Sequence, residues 1–175
     1  MKKVFSLLIT AFIATVCFAK PDFTIPQIEK YANADECRKD NDIALKTAKY
    51  FLNAELPADI YESNLAAQYM IIWISASDEI LVTLDELRCP YLKCKDKDIS
   101  TQLMAAYFAG CIIYSLENKQ KDHNFDMHYF SLSNMLNYYE KNKSITGSDK
   151  EMDKLLKEFK SNKFKAKEEK KFKKQ

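Results

Sequence analysis

The residues of this chain best suited to chemistry are its cysteines, and two of them flank a proline in Leu87-Arg88-Cys89-Pro90-Tyr91-Leu92-Lys93-Cys94. A close thiol pair serves as a redox centre, as half of a metal site or as a disulfide. The spacing is C-x4-C, not the C-x-x-C of a thioredoxin-like centre. No histidine and no second close cysteine pair lies nearby in sequence to complete a zinc site. The choice therefore turns on the compartment.

The N-terminus speaks to that. Lys2 and Lys3 form a positive start, Val4 to Val16 is almost unbroken apolar sequence, and Cys17-Phe18-Ala19 offers small residues at positions −3 and −1 of a cleavage site. About sixteen apolar residues precede Lys20 and Pro21, fewer than the roughly 20 a membrane-spanning helix needs. Val16 stands where a lipidation signal wants Gly, Ala or Ser. Residues 1–19 are thus expected to be a cleaved signal peptide. The remainder is expected to be extracytoplasmic, periplasmic or secreted, with no transmembrane segment after cleavage. In an oxidising compartment the remaining Cys37, Cys89, Cys94 and Cys111 favour disulfides over zinc. Cys89 with Cys94 is the easiest pairing, because Pro90 stops a helix and turns the chain back. Cys37 with Cys111 is the complement, unless Cys111 is a free core thiol.

Other candidate chemistry is sparser. Asp122, His123, Asp126 and His128 are all possible metal ligands. In a helix, however, His123 and His128 lie about 140° apart around the axis, a poor chelating pair. The plainer expectation is a helix start capped by Asp122 or Asn124, with both histidines near the surface. Cys111 with one of the histidines could form a nucleophile–base pair, but it falls inside the apolar run Ala109-Gly110-Cys111-Ile112-Ile113, where thiols are usually inert. The acid pairs Asp78-Glu79 and Asp85-Glu86 diverge by about 100° on a helix and do not converge on one atom. Carboxylates from different helices could converge, which sequence does not reveal. Two glycines, Gly110 and Gly147, supply neither a dinucleotide fingerprint nor a P-loop, and there is no G-x-S-x-G elbow. No catalytic set, cofactor site or metal site is assigned.

The C-terminus is the strongest charge feature. From Lys154 to Gln175 there are ten lysines and three glutamates, so residues 20–153 carry the opposite balance of about −7. Residues 161–175 are expected to be a solubilising tail, disordered or only transiently helical over its last dozen residues. Within it Lys163, Lys165, Lys167, Lys170, Lys171, Lys173 and Lys174 are candidate contacts for an anionic surface, with Phe164 and Phe172 between them. An extracytoplasmic chain rarely meets nucleic acid, which is not expected as a partner.

The elements that would position these groups are helical. Two glycines and four prolines are too few for a sheet protein of this length. Helices are expected from the Thr24-Ile25-Pro26-Gln27 capping signal, over about 42–53, over about 58–75, as a short piece carrying Ile80, Leu81, Leu84 and Leu87, over about 98–118, over about 124–142, and from the Ser148-x-x-Glu151 capping box. The 58–75 helix, containing Leu65-Ala66-Ala67-Gln68-Tyr69-Met70-Ile71-Ile72-Trp73-Ile74, is apolar nearly all round and is expected to be central. Residues 20–160 then form one all-α domain, a bundle or stacked helical hairpins of about seven helices.

Read in order, WISASDEILVTLDEL, YFAGCIIYSLENK and LNYYEKNKSITGSDKEMDKLLKEF resemble a group of small secreted all-helical proteins from Bacteroidetes. The resemblance covers about residues 62 to 160. It implies a compartment and a fold class and transfers no functional residue. The function expected on these grounds is a non-enzymatic exported helical scaffold or protein-interaction domain, with a protein partner or envelope component still to be identified. Two alternatives stand beside it: an envelope-surface or lipid-binding module acting through the basic tail, and an enzyme with carboxylates or His128 between helices.

Overall fold

Local signals set most of the helices. In the computed structural model, which describes residues 21–85 and 88–173, the elements are α1 (Ala34–Arg38), α2 (Asn41–Asn53), α3 (Ile60–Ala76), a 3-10 turn (Pro90–Lys93), α4 (Lys97–Asn118), α5 (Phe125–Thr146), α6 (Lys150–Phe159) and α7 (Phe164–Phe172). The described residues thus hold seven α-helices and no strand, the expected all-α bundle. The signal-peptide expectation, residues 1–19, lies outside them, as do Lys174 and Leu87.

Side-chain caps start the helices where short polar residues meet free amides. Asn33 accepts from Glu36 N–H at the start of α1, Asp96 from Asp98 and Ile99 N–H before α4, and Asn124 from Met127 N–H before α5. For α6 the cap is Asp149, one residue beyond the expected Ser148, accepting from Glu151 and Met152 N–H. The buried Asp149 also accepts from Lys95 N–H at 3.2 Å and gives its own N–H to Tyr139 Oη at 2.8 Å. The cap is therefore shared with the tertiary structure, and this selects Asp149 over its neighbour.

The centre of the bundle is α4, not α3 as expected. It packs against α5, α2, α3 and the 3-10 turn, whereas α3 buries one stripe (Ser63, Ala66, Tyr69, Met70, Trp73) and leaves Ile71 outside. By length and composition α4 could also cross a membrane, but 67 % of its apolar window is buried inside the protein, as befits a core helix. Gly110 permits its closest crossing: a Cβ there would lie 2.6 Å from Ser131 Cα on α5. Only a glycine lets the two backbones approach that far.

Three expected elements differ. Residues 24–33 carry no helix beyond the start of a bend; Ile25 is buried individually and Tyr31 Oη sits between Asp40 Oδ2 (2.8 Å) and Tyr69 Oη (3.1 Å). These anchors use residues one by one, which outweighs the capping signal. The helix expected around Ile80, Leu81 and Leu84 is a non-helical strap over residues 77–85, bent at Asp78 and Glu79, with Ile80 buried and both leucines outside. Finally, the tail expected to be disordered contains α7, held by buried Phe164 against Phe159 and Tyr129 (ring centroids 5.4 and 6.2 Å).

Candidate functional site

Chemistry-bearing side chains converge where the strap, the middle of α4 and the start of α5 meet. Tyr107 is wholly buried on α4, and a buried phenol needs a partner for its hydroxyl. It has two: His123 Nε2 at 2.9 Å and His128 Nδ1 at 2.8 Å. His123 lies in the loop before α5, capped by Asn124, so the helical angle that separates the two histidines in sequence terms does not apply. The expectation of surface histidines is overturned: His128 is 2 % exposed and His123 partly buried.

The proton order of this cluster follows from one backbone bond. Thr83 N–H in the strap donates to His123 Nδ1 at 3.2 Å, so the neutral ring of His123 carries its proton on Nε2. That Nε2–H donates to Tyr107 Oη, Tyr107 O–H donates to His128 Nδ1, and His128 keeps its proton on Nε2. Burial drives both rings toward the neutral form. It pushes His123 down to about 4, helped by the Arg88 cation and opposed by Asp85. It pushes His128 down to about 3, helped by His123 and Arg88. Tyr107 is raised well above the usual phenol value, chiefly by burial.

A lid from α7 closes the cluster. The Phe172 ring lies 5.4 Å from His128, 6.1 Å from His123 and 5.8 Å from Phe125, and the Arg88 guanidinium sits 4.8 Å from its centroid. Arg88 is held in turn by Asp85 at 2.7 Å. As folded, the cluster is a covered relay of hydrogen bonds with every imidazole lone pair in use. Sequence reasoning missed Tyr107, Arg88, Thr83 and Phe172. The one available signal was a tyrosine inside an apolar helix in a chain with only two histidines.

The cysteine expectations are not met. Cys37, Cys89, Cys94 and Cys111 are all free thiols and all buried. Neither Cys89–Cys94 nor Cys37–Cys111 is bonded, and the surroundings explain why. The 3-10 turn places Cys89 beside Asp85 and the Tyr91 hydroxyl, while Cys94, at its other end, faces Asp149 and Asp96. Cys37 Sγ–H donates to Trp73 O on α3 at 3.4 Å, whereas Cys111 faces Ser131 on α5. Burial pushes the thiols up, to about 11 for Cys37 and about 12 for Cys94 and Cys111, away from the reactive thiolate.

The lysines are only partly available. Lys167 pairs with Glu158, Lys171 with Glu168 at 2.6 Å and Lys173 with Glu169 at 2.6 Å, while Lys165 lies 5.2 Å over the Tyr129 ring. Lys163 and Lys170 are exposed, and Lys174 lies outside the described residues. Glu168, 3 % exposed, is buried by the docking of α7, so part of the basic charge serves an internal carboxylate. The acid pair Asp78 and Glu79 binds Arg38 at 2.6 and 2.9 Å. Among the described residues no group of three or more His, Cys, Asp or Glu side chains is arranged to hold a metal ion. In comparisons with known proteins, no family model, no curated protein and no solved structure matches the chain.

Proposed function

We propose that this protein is an exported, non-enzymatic helical interaction domain, and that its contact element is the strap, residues 77–85. The observation that carries this reading is the strap itself. It is chain without helical pairing lying on a helical body, with Leu81 57 % and Leu84 54 % exposed. It hangs on the body through Ser115 Oγ–H to Glu79 O (2.7 Å), Leu81 N–H to Lys121 O (2.8 Å) and Thr83 N–H to His123 Nδ1 (3.2 Å). In an extended chain successive amides point to opposite sides, so the inward amides of Leu81 and Thr83 turn those of Val82 and Leu84 outward. An outward edge flanked by apolar side chains suits an extended segment of a partner protein, which adds as a strand.

Two further features support an interaction role. The thiols and the histidine pair are committed to internal contacts. Three of the six described tail lysines, Lys167, Lys171 and Lys173, are paired with carboxylates of α6 and α7, which favours the strap over the basic end as the contact element.

The test places a photo-reactive benzoyl-phenylalanine at Leu84 or, as a control, at the equally exposed Ile145 in producing cells. A discrete adduct at Leu84, absent at Ile145 and lost on Leu81→Asp, is expected. Equal crosslinking at the two positions, or none at Leu84, overturns the reading.

A further inference from the structure

The strap is attached to the body through an imidazole, and that bond has a chemical weakness. His123 Nδ1 accepts Thr83 N–H, and His128 Nδ1 accepts Tyr107 O–H. These are the only two lone pairs on the neutral imidazoles, and both are occupied. A proton arriving on either ring must therefore replace a hydrogen bond. On His123 it sets an N–H against the Thr83 N–H. On His128 it sets an N–H against the Tyr107 hydroxyl, which already accepts from His123 and is left with no acceptor for its own proton.

We propose that the His123–Tyr107–His128 relay is an acid-sensitive latch that holds down two elements together, the strap through Thr83 and α7 through Phe172. Its role in regulating partner binding rests on the strap being the contact element; the latch itself does not.

The surroundings set the sign. Arg88 approaches from the turn after the strap and Lys171 from α7, and both cations repel a charged imidazole. Asp85 is the opposing carboxylate, and its partner Arg88 sits against Phe172. From α4, Tyr107 and Cys111 face the cluster as neutral groups, as do Cys89 and Tyr91 beside the 3-10 turn. Both cations are themselves paired, Arg88 with Asp85 and Lys171 with the buried Glu168, so neither carboxylate is free to take up a further positive charge. Phe172, 5.4 Å from His128, covers that ring and keeps water from a charge placed on it. Release restores water to the imidazolium.

The latched His123 titrates at about 4, and a solvated imidazole near 6.5. Latching is therefore complete above pH 6.5 and weakens as pH falls toward 4. At pH 5 the closed-to-open ratio drops about 30-fold for each histidine set free.

The test is hydrogen exchange followed by mass spectrometry on the isolated full chain between pH 7.5 and 4.5. Protection is referenced to unstructured peptides of the same segments at each pH. The expected result is a loss of protection of tenfold or more in residues 78–85 and 164–172 while residues 103–115 of α4 stay protected. In the His123→Asn/His128→Asn double variant, both segments should stay protected to pH 4.5. Simultaneous loss in α4 overturns the proposal, because it reports global unfolding. So does a double variant that opens like the wild type. Should the double variant not fold, imidazole NMR titration of the wild type decides: a histidine of the pair that becomes charged above pH 5.5 with Phe172 still docked overturns the latch, and charging coincident with undocking supports it. No partner is present in these measurements, so failed crosslinking at Leu84 would remove the docking role and leave the latch standing.

Discussion

At the residue scale, the positions that matter most are those where one atom has no alternative. Gly110 is one. A Cβ 2.6 Å from Ser131 Cα meets backbone rather than a flexible side-chain end, so Gly110→Ala must push α4 and α5 apart. A stability loss of about 1–3 kcal/mol is expected, read as a lower urea midpoint. Tyr107 is another. Tyr107→Phe strands the His123 Nε2–H and the His128 Nδ1 lone pair in a dry site, and about 1–3 kcal/mol should be lost with helix content unchanged by circular dichroism. The cysteines give a chemical check. All four described thiols are buried and free, so a chain beginning at Lys20 should react with dithionitrobenzoate at four thiols once unfolded and at almost none while folded. Two fewer reactive thiols under non-reducing denaturation would mean that one disulfide had formed.

At the element scale, α7 shows how charge and anchorage divide the work in a lysine-rich helix. Its outward face is lysine, but Phe164 and Phe172, eight residues apart, project on one side and dock on α5, α6 and the relay. Glu168 is buried by that docking and neutralised by Lys171. The exposed ion pairs add little each, so the phenylalanines dominate the attachment. Phe164→Ala should therefore strip exchange protection from residues 164–172 at neutral pH and cost about 3 kcal/mol, whereas Lys173→Ala should leave protection unchanged. The strap is the complementary case: one buried anchor, Ile80, three side-on hydrogen bonds and the exposed Arg38 pairs to Asp78 and Glu79 hold a segment that lacks helical pairing of its own. Elements held by so few contacts open at low free-energy cost.

For the whole molecule, the buried histidine pair makes stability depend on pH. Both rings are neutral in the folded state, at about 4 and about 3, and near 6.5 when unfolded. The unfolded chain binds more protons below pH 6.5, so stability is intact above that value. It is lost progressively as pH falls from 6.5 to the folded values, and the loss levels off below them. The shifts correspond to roughly 3–5 kcal/mol per histidine at most. Urea midpoints measured from pH 7 to pH 4 should fall steadily in the wild type and much less in the His123→Asn/His128→Asn variant. Parallel curves for the two proteins would show that other groups control the acid limb.

Much of the architecture was legible in the residues. Scarce glycine and proline, the cap at Asn124, and apolar spacing in α2, α4 and α5 follow from local preference and amphipathic period, which act within one turn or one helix. The Ile80–Leu84 segment has the same apolar spacing yet is extended, because Ser115 Oγ, Lys121 O and His123 Nδ1 claim its backbone. The C-terminal lysines read as a solvated tail because the pocket for Phe172 is built from His123, His128, Phe125 and Arg88, none of them local to it. The cysteines looked like a disulfide framework on count and spacing, and their side-chain directions, fixed by the 3-10 turn and by Trp73 and Ser131, keep them apart. Sequence alone determined that this is an all-helical bundle, since helix formation is a short-range property. The tertiary structure decided that Tyr107, His123 and His128 form one relay and that the strap and α7 rest on it, since those contacts join residues the chain keeps far apart.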